Sequence, residues 1–343
     1  MSADDEFSRM LKRVAEGATL DARMSAQAFA AIISGEISPV RIAAFLTALA
    51  IRKPSADEIA GAAHAMRAAM RRVEAPAGAI DVCGTGGDGL GTLNISTATA
   101  FVVAACGVAV AKHGNRNMSS RSGAADVLEA LGVRIDLEPA AAQAMLRDTN
   151  FCFLFAPAYH PAMKHVAPVR RELGFRTIFN LIGPLSNPAG AKRQLLGVFA
   201  REWLEPFAQV LAALGSEKAW IVHGSDGLDE LTTTGVTHVA ILENGMVSHR
   251  EISPEEIGVP RATLAQLKGG DAKENAEAIR ALLGGAQGAF RDIVVLNAAA
   301  ALVVADKAGD LKAGAQLAAD AIDSGRASEV LARVATTSQR TPS

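Results

Sequence analysis

From Asp81 to Thr92 the chain reads Asp-Val-Cys-Gly-Thr-Gly-Gly-Asp-Gly-Leu-Gly-Thr. Glycine this dense after a β-type run frees the backbone to approach a ligand and to aim several N–H groups at it. Phosphate suits such a loop, because the helix that follows adds the positive end of its dipole. Asn94, Ser96 and Thr97 stand where that helix starts and can add donors. Taken alone, the loop also reads as a plain glycine turn with Ser/Thr capping. No Gly-Lys-Ser/Thr closes it, which argues against a Walker-type site. Gly84, Gly86 and Gly89 fit G-x-G-x-x-G, but the next strand ends in Lys112-His113. That is the wrong sign for the ribose of NAD, although NADP stays open.

The second cluster is Lys112-His113-Gly114-Asn115-Arg116, followed by Met118-Ser119-Ser120-Arg121-Ser122-Gly123. It reads as a cationic, hydroxyl-rich loop after the second strand. Loops at the carboxyl ends of neighbouring strands face one crevice in a doubly wound sheet, so the two clusters can converge on one anion. The competing reading is a solvated basic loop. Adjacent Asp229-Glu230, in a loop after a strand, suits hard Mg²⁺, which favours a few carboxylates plus substrate phosphates. An exposed acidic turn is the alternative. Arg170 offers a planar fork for a carboxylate, or else forms a solvated face with Arg171. Cys83 has no paired base and reads as packing. His64, His165, His238 and His249 lack metal-ligand spacing, while His113 and His223 border the expected crevice.

The elements that must hold these residues change character along the chain. The first seventy or so residues read as helices: Ser38-Pro39 opens one, and Ser55-Ala56-Asp57-Glu58 has capping-box spacing for another. Glu74 to Gly78 reads as a hinge. From Ala79, short β-type runs alternate with helices, including a strand at Val108-Ala109-Val110, which argues for a largely parallel sheet covered on both faces. His160 to Leu173 and Thr177 to Ile182 interrupt that rhythm with helical turns. Asn244-Gly245 signals a hairpin and some antiparallel pairing. The chain from Asp271 is helical again.

Half of the 343 residues are hydrophobic and only 4% aromatic, so the expected core is aliphatic and the helices close-packed. The formal net charge of −2 shows no basic excess, which argues against nucleic acid as a partner. Three cysteines without paired spacing suggest neither disulfides nor zinc. The apolar stretches are too short for a bilayer and the acidic start is unlike a signal peptide, so no membrane association and a cytoplasmic location are expected.

Gly-Thr-Gly-Gly-Asp at 84–88, Asn-Ile-Ser-Thr at 94–97 and Lys-His-Gly-Asn-Arg at 112–116 resemble the signature loops of the anthranilate phosphoribosyltransferases. Arg170 within Pro-Val-Arg-Arg-Glu-Leu-Gly, the run from Arg176 to Pro188, and His223-Gly224 through Asp229-Glu230 extend the resemblance from near residue 38 to about 330. It implies an α/β fold: a small N-terminal helical domain (1–75 with 162–186) beside a larger α/β domain (76–161 with 187–343), whose mostly parallel central sheet is flanked by helices. It implies phosphoribosyl pyrophosphate at Gly84, Gly87, Asp88, Thr92, Asn94, Ile95, Ser96, Thr97, Lys112, His113, Gly114, Asn115, Arg116, Asn117, Met118, Ser119, Ser120 and Ala124. Anthranilate would meet Gly84, Asn115, His160, Arg170 and Pro184, and Mg²⁺ would be held at Ser96, Asp229 and Glu230. No covalent nucleophile or strong general base is expected. The reaction implied is phosphoribosyl transfer to the anthranilate amine, the second step of tryptophan biosynthesis from chorismate, in a homodimer. Ala124 stands where the family usually has Ser, and Arg121 where Lys is usual. The nearest rival readings are a pyrimidine nucleoside phosphorylase, a non-catalytic nucleic-acid-binding relative and an NADP-binding oxidoreductase.

Overall fold

A computed structural model describes residues 3–116 and 122–340 of the 343. Four helices open the chain: α1 (Ala3–Ala15), α2 (Ala22–Ser34), α3 (Pro39–Arg52) and α4 (Ala56–Ala69). The start of α4 is local chemistry: the Glu58 N–H donates to Ser55 Oγ, and the Ser55 N–H donates back to Glu58 Oε2. Ser38 occupies the cap position of α3, yet its hydroxyl makes no cap hydrogen bond, so Pro39 alone sets that start. Phe7, Phe29 and Phe45 fill the space between the helices.

Among the described residues seven strands form one sheet: β1 (Ile80–Gly84), β2 (Val110–Gly114), β3 (Phe151–Phe155), β4 (Arg193–Gly197), β5 (Lys218–Gly224), β6 (Thr237–Glu243) and β7 (Met246–Ile252). Their order is β3-β2-β1-β4-β5-β6-β7, parallel from β3 to β5, with β6 and β7 antiparallel. Asn244 and Gly245, at φ 53° and 75°, close the β6–β7 hairpin as the dipeptide suggests. The chain winds outward from β1 through β2 to β3, then returns to the other side of β1 for β4. That reversal is where a doubly wound sheet leaves a crevice beyond its carboxyl edge.

Alternation along the strands divides the core in two. Ile80 and Val82 of β1 and Leu195 of β4 pack with helices Ile95–Ala105 (α5), Ala289–Val304 and Arg326–Arg340. Cys83, Leu196, Val198 and Ile221 face the other way, into a cluster continuous with the N-terminal helices through helix Leu204–Ala213. The short helices Pro161–His165, Ala167–Leu173 and Ile178–Ile182 pack on α2, α3 and α4 respectively.

One boundary moves. The strand expected at 108–110 runs instead from Val110 to Gly114, because it pairs residue for residue with β3 out to Gly114↔Phe155. Lys112 and His113 therefore lie inside a strand and are buried, not in the loop after it. Among the described residues no helix is long and apolar enough to cross a membrane.

Candidate active site

Gly84 and Gly197 end the paired strands β1 and β4 opposite one another. Their missing side chains are a packing requirement. A Cβ on Gly197 would overlap the Asp229 carbonyl, and one on Gly84 would overlap the Asp229 carboxylate. The loop after β5 thus lies directly over the two strand ends. The Gly86 N–H donates to Asp229 Oδ2 at 2.7 Å, and the Ser96 N–H, in the first turn of α5, donates to Glu230 Oε1 at 3.1 Å. Lys112, 2% exposed, comes in from β2 and donates from Nζ to the Val82 carbonyl (2.7 Å) and to Ser96 Oγ (3.1 Å). Glycine loop, helix start, buried lysine and acidic pair are one connected assembly.

Burial, then the nearby charge of Asp88, pushes Asp229 up to about 6. Burial and then Asp229 hold Glu230 well above the usual carboxylate range, and burial raises Asp88 as well. Three acids that resist ionising together are what a cation would relieve. The described residues contain no ready-made cluster of three His, Cys, Asp or Glu ligands for a metal. The donor set nevertheless fits Mg²⁺, which binds through one or two carboxylates and completes its shell with phosphate and water.

The opposite face of the same strand end has different chemistry. His113 follows Lys112, so its side chain points to the other side of the sheet. Its Nδ1 lies 3.1 Å from the Gly183 carbonyl and its Nε2 lies 3.2 Å from His160 Nε2. Burial, then His160, lowers His113 to about 3, and burial lowers His160 to about 4, so both are neutral near pH 7. Buried Asp81 accepts from the His113 N–H and from Asn187 Nδ2, and Asn187 Nδ2 also donates to the Ala111 carbonyl. These bonds tie the 183–189 turn to β1 and β2. Gln194 donates to the Pro184 carbonyl at 2.9 Å. Arg170, in helix Ala167–Leu173, holds its guanidinium 5.5 Å from the Phe179 ring centroid and 3.5 Å from Asn180 Oδ1. Burial lowers it, and it forms no salt bridge among the described residues. A partly buried planar fork with no carboxylate partner among the described residues has the geometry to accept one.

Gly87, Asp88 and Thr92 belong to the glycine loop, and Asn94 stands at the N-cap position of α5, its side chain making no cap bond but accepting from Asn275 Nδ2 at 2.8 Å. Ile95 and Thr97 are buried in the first turn of α5. Gly114 ends β2 beside Phe153, and a Cβ there would stand 3.6 Å from the Ala124 methyl, at the start of helix Ala124–Ala130. Asn115 and Arg116 follow β2. Arg116 is held by Asp126 and by a two-point bond to Glu129. His223 turns its Nδ1 to the Val198 carbonyl. Asn117, Met118, Ser119 and Ser120 lie outside the described residues.

Two contributors carried no motif. Residues 267–269 zip along the far side of the glycine loop: Leu93 N–H donates to the Leu267 carbonyl, Gly269 N–H to the Gly91 carbonyl, and Lys268 Nζ to the Leu90 carbonyl. Lys268-Gly269-Gly270 was the available signal. Asn297, wholly buried in helix Ala289–Val304, accepts from the Leu231 N–H and donates to the Leu231 carbonyl, gripping the residue after Glu230.

Two domain models of a glycosyl transferase family match in tandem, a helical bundle domain over residues 8–70 and an a/b domain over 77–328. The chain is 57% identical over 329 residues to the anthranilate phosphoribosyltransferase of Parvibaculum lavamentivorans, covering 96% of each. It is 60% identical over 326 residues to that of Azospirillum brasilense, covering 95% of this chain and 91% of that one. The crystal structure of the Thermus thermophilus enzyme of the same name superposes with a TM-score of 0.91 at 45% identity, covering 96% of this chain and 99% of that one. The Saccharomyces cerevisiae enzyme, solved in complex with phosphoribosyl pyrophosphate and Mg, gives 0.89 at 28% identity, with 98% of each chain covered.

Proposed function

The chain belongs to the anthranilate phosphoribosyltransferase family, and from that premise we propose how its residues divide the two substrates between the faces of one strand end. The activity is transfer of the 5-phosphoribosyl group from phosphoribosyl pyrophosphate to the anthranilate amine, releasing pyrophosphate, the second step of tryptophan biosynthesis from chorismate.

In this reading the diphosphorylated sugar occupies the face carrying Gly84, Gly87, Asp88, Thr92, Asn94, Ser96, Thr97 and Lys112. Anthranilate occupies the face carrying His113, His160, Arg170 and Pro184, its carboxylate on Arg170. Mg²⁺ would be held by Asp229 and Glu230 with Ser96 beside them, where it would neutralise charge on the departing pyrophosphate. The single observation that carries the assignment is the Asp229-Glu230 loop seated on Gly84 and Gly197 and bonded to the amides of Gly86 and Ser96.

The protein's own part is positioning and fixed polarity. Negative charge builds on the leaving oxygens as the ribose carbon becomes cation-like. Loop N–H groups, the α5 amino end and the Lys112 Nζ donor meet that charge without reorganising. The anthranilate amine is an aniline and is already neutral near pH 7, so a neutral, buried His113–His160 pair does not have to act as a strong base. Its fixed orientation instead keeps the attacking face in place.

In the wider organisation we assign residues 1–75 with 162–186 to a small helical domain and 76–161 with 187–343 to the phosphoribosyl pyrophosphate-binding domain. The assembly is read as a cytoplasmic homodimer, checked by light scattering. The direct test follows the loss of anthranilate fluorescence on adding phosphoribosyl pyrophosphate and Mg²⁺. Wild type should consume anthranilate only when both are present. Asp229→Ala with Glu230→Ala should abolish the metal-dependent rate, and Arg170→Ala should raise KM for anthranilate. Unchanged Mg²⁺ dependence in the double variant would overturn the metal assignment.

A further inference from the structure

The geometry points to Arg176 as a diphosphate-binding residue, reaching onto the glycine loop from the opposite wall of the crevice. The inference rests on the functional reading above and adds a ligand contact to it. Arg176 lies outside the glycine loop, just before helix Ile178–Ile182, in the stretch that also carries Arg170. Its guanidinium is nevertheless against the loop: a Cβ on Gly87 would meet Nη2 at 2.9 Å and both Cζ and Nε at 3.1 Å. Gly87, at φ 77°, therefore makes room for a cation as well as for a turn.

The cation is held in place from behind. Arg176 Cζ lies 4.3 Å from the centroid of the Phe199 ring. The Phe199 N–H in turn donates to Thr85 Oγ1 at 3.0 Å, so the ring is fastened to the same glycine loop. A guanidinium lying over a ring keeps its N–H edge available for an anion. Arg176 is exposed and forms no salt bridge among the described residues; its charge partly offsets the rise that burial imposes on Asp88 of the same loop. Arg116, the arginine of the sequence motif, is by contrast already engaged by Asp126 and Glu129. A planar fork without a salt-bridge partner among the described residues thus stands at the mouth of a loop suited to phosphate. The competing view gives Arg176 the sole task of clamping Phe199.

Three variants separate these views: Arg176→Ala, Arg176→Gln and Arg176→Lys. Each is assayed for steady-state kinetics with Mg²⁺, for melting temperature, and for calorimetric binding of inorganic pyrophosphate with Mg²⁺. Arg176→Ala and Arg176→Gln should raise KM for phosphoribosyl pyrophosphate about tenfold, as expected for a lost hydrogen bond between charged groups. Pyrophosphate should weaken in parallel, while KM for anthranilate and the melting temperature hold. Arg176→Lys should recover part of the affinity, because charge remains although the fork is lost. Equal pyrophosphate binding by wild type and Arg176→Ala would overturn the inference. So would matched rises in both KM values with a lowered melting temperature. If wild type itself failed to bind pyrophosphate, the functional reading would fall instead, which is a distinct result.

Discussion

At the scale of single residues, the glycines of the site are not equivalent, and their differences can be measured. Gly197 has no φ requirement but has the Asp229 backbone where its side chain would go. Gly197→Ala should therefore displace the acidic loop and cost on the order of 100-fold in kcat, the usual scale for a misplacement near 1 Å. Gly86 has open space around its Cβ position but a φ of 66°. Gly86→Ala should cost about 1–2 kcal/mol of left-handed backbone strain, with a smaller effect on turnover. Comparing kcat with the melting temperature for the two variants distinguishes crowding from strain. The density of glycine was legible in the sequence, because glycine marks backbone freedom wherever it stands. Which glycine meets what was not, since Asp229 is remote in sequence from both strand ends. Arg176 was read only as the first letter of a motif for the same reason, as its neighbour Gly87 arrives through the fold.

At the scale of elements, the local signals and the largely parallel sheet both hold, while the bounds of one strand do not. The capping box at Ser55 and the Asn244-Gly245 turn involve residues a few positions apart, and both form. The extent of β2 depends on β3 some forty residues on, and Lys112 was accordingly assigned to a loop when it belongs to a strand. Asn297 was hidden differently, as one polar letter in an Ala- and Val-rich helix. Its amide matches one donor and one acceptor on Leu231, so helix Ala289–Val304 serves as the backing for Glu230. Asn297→Leu keeps the branched shape, adds some bulk and strands both Leu231 groups. It should cost about 1–3 kcal/mol of stability, the penalty for buried unsatisfied polar groups. It should also raise the Mg²⁺ concentration needed for half-maximal rate, while Asn297→Asp retains the acceptor and loses less.

At the scale of the molecule, acid should unfasten the join between the inserted helical stretch and the sheet. His113 and His160 titrate at about 3 and about 4 in the fold against about 6.5 when exposed. Their contribution to stability is complete above 6.5 and is lost as pH falls toward 4, because the unfolded chain takes up protons that the fold refuses. Asp229, raised to about 6, acts in the opposite sense, so the comparison must be between variants. Denaturant midpoints between pH 7 and pH 4.5 should fall less steeply for His160→Gln than for wild type, and identical slopes would contradict the assignment. Lys112 and His113 are joined by one peptide bond and point to opposite sides of the sheet. Slipping β2 by a single position would trade the Lys112 amine for the imidazole and dismantle both proposed receptors in one stroke. On the proposed division, engineering toward new amine acceptors is better begun at Arg170 or Pro184, where a change leaves the face proposed for the sugar untouched.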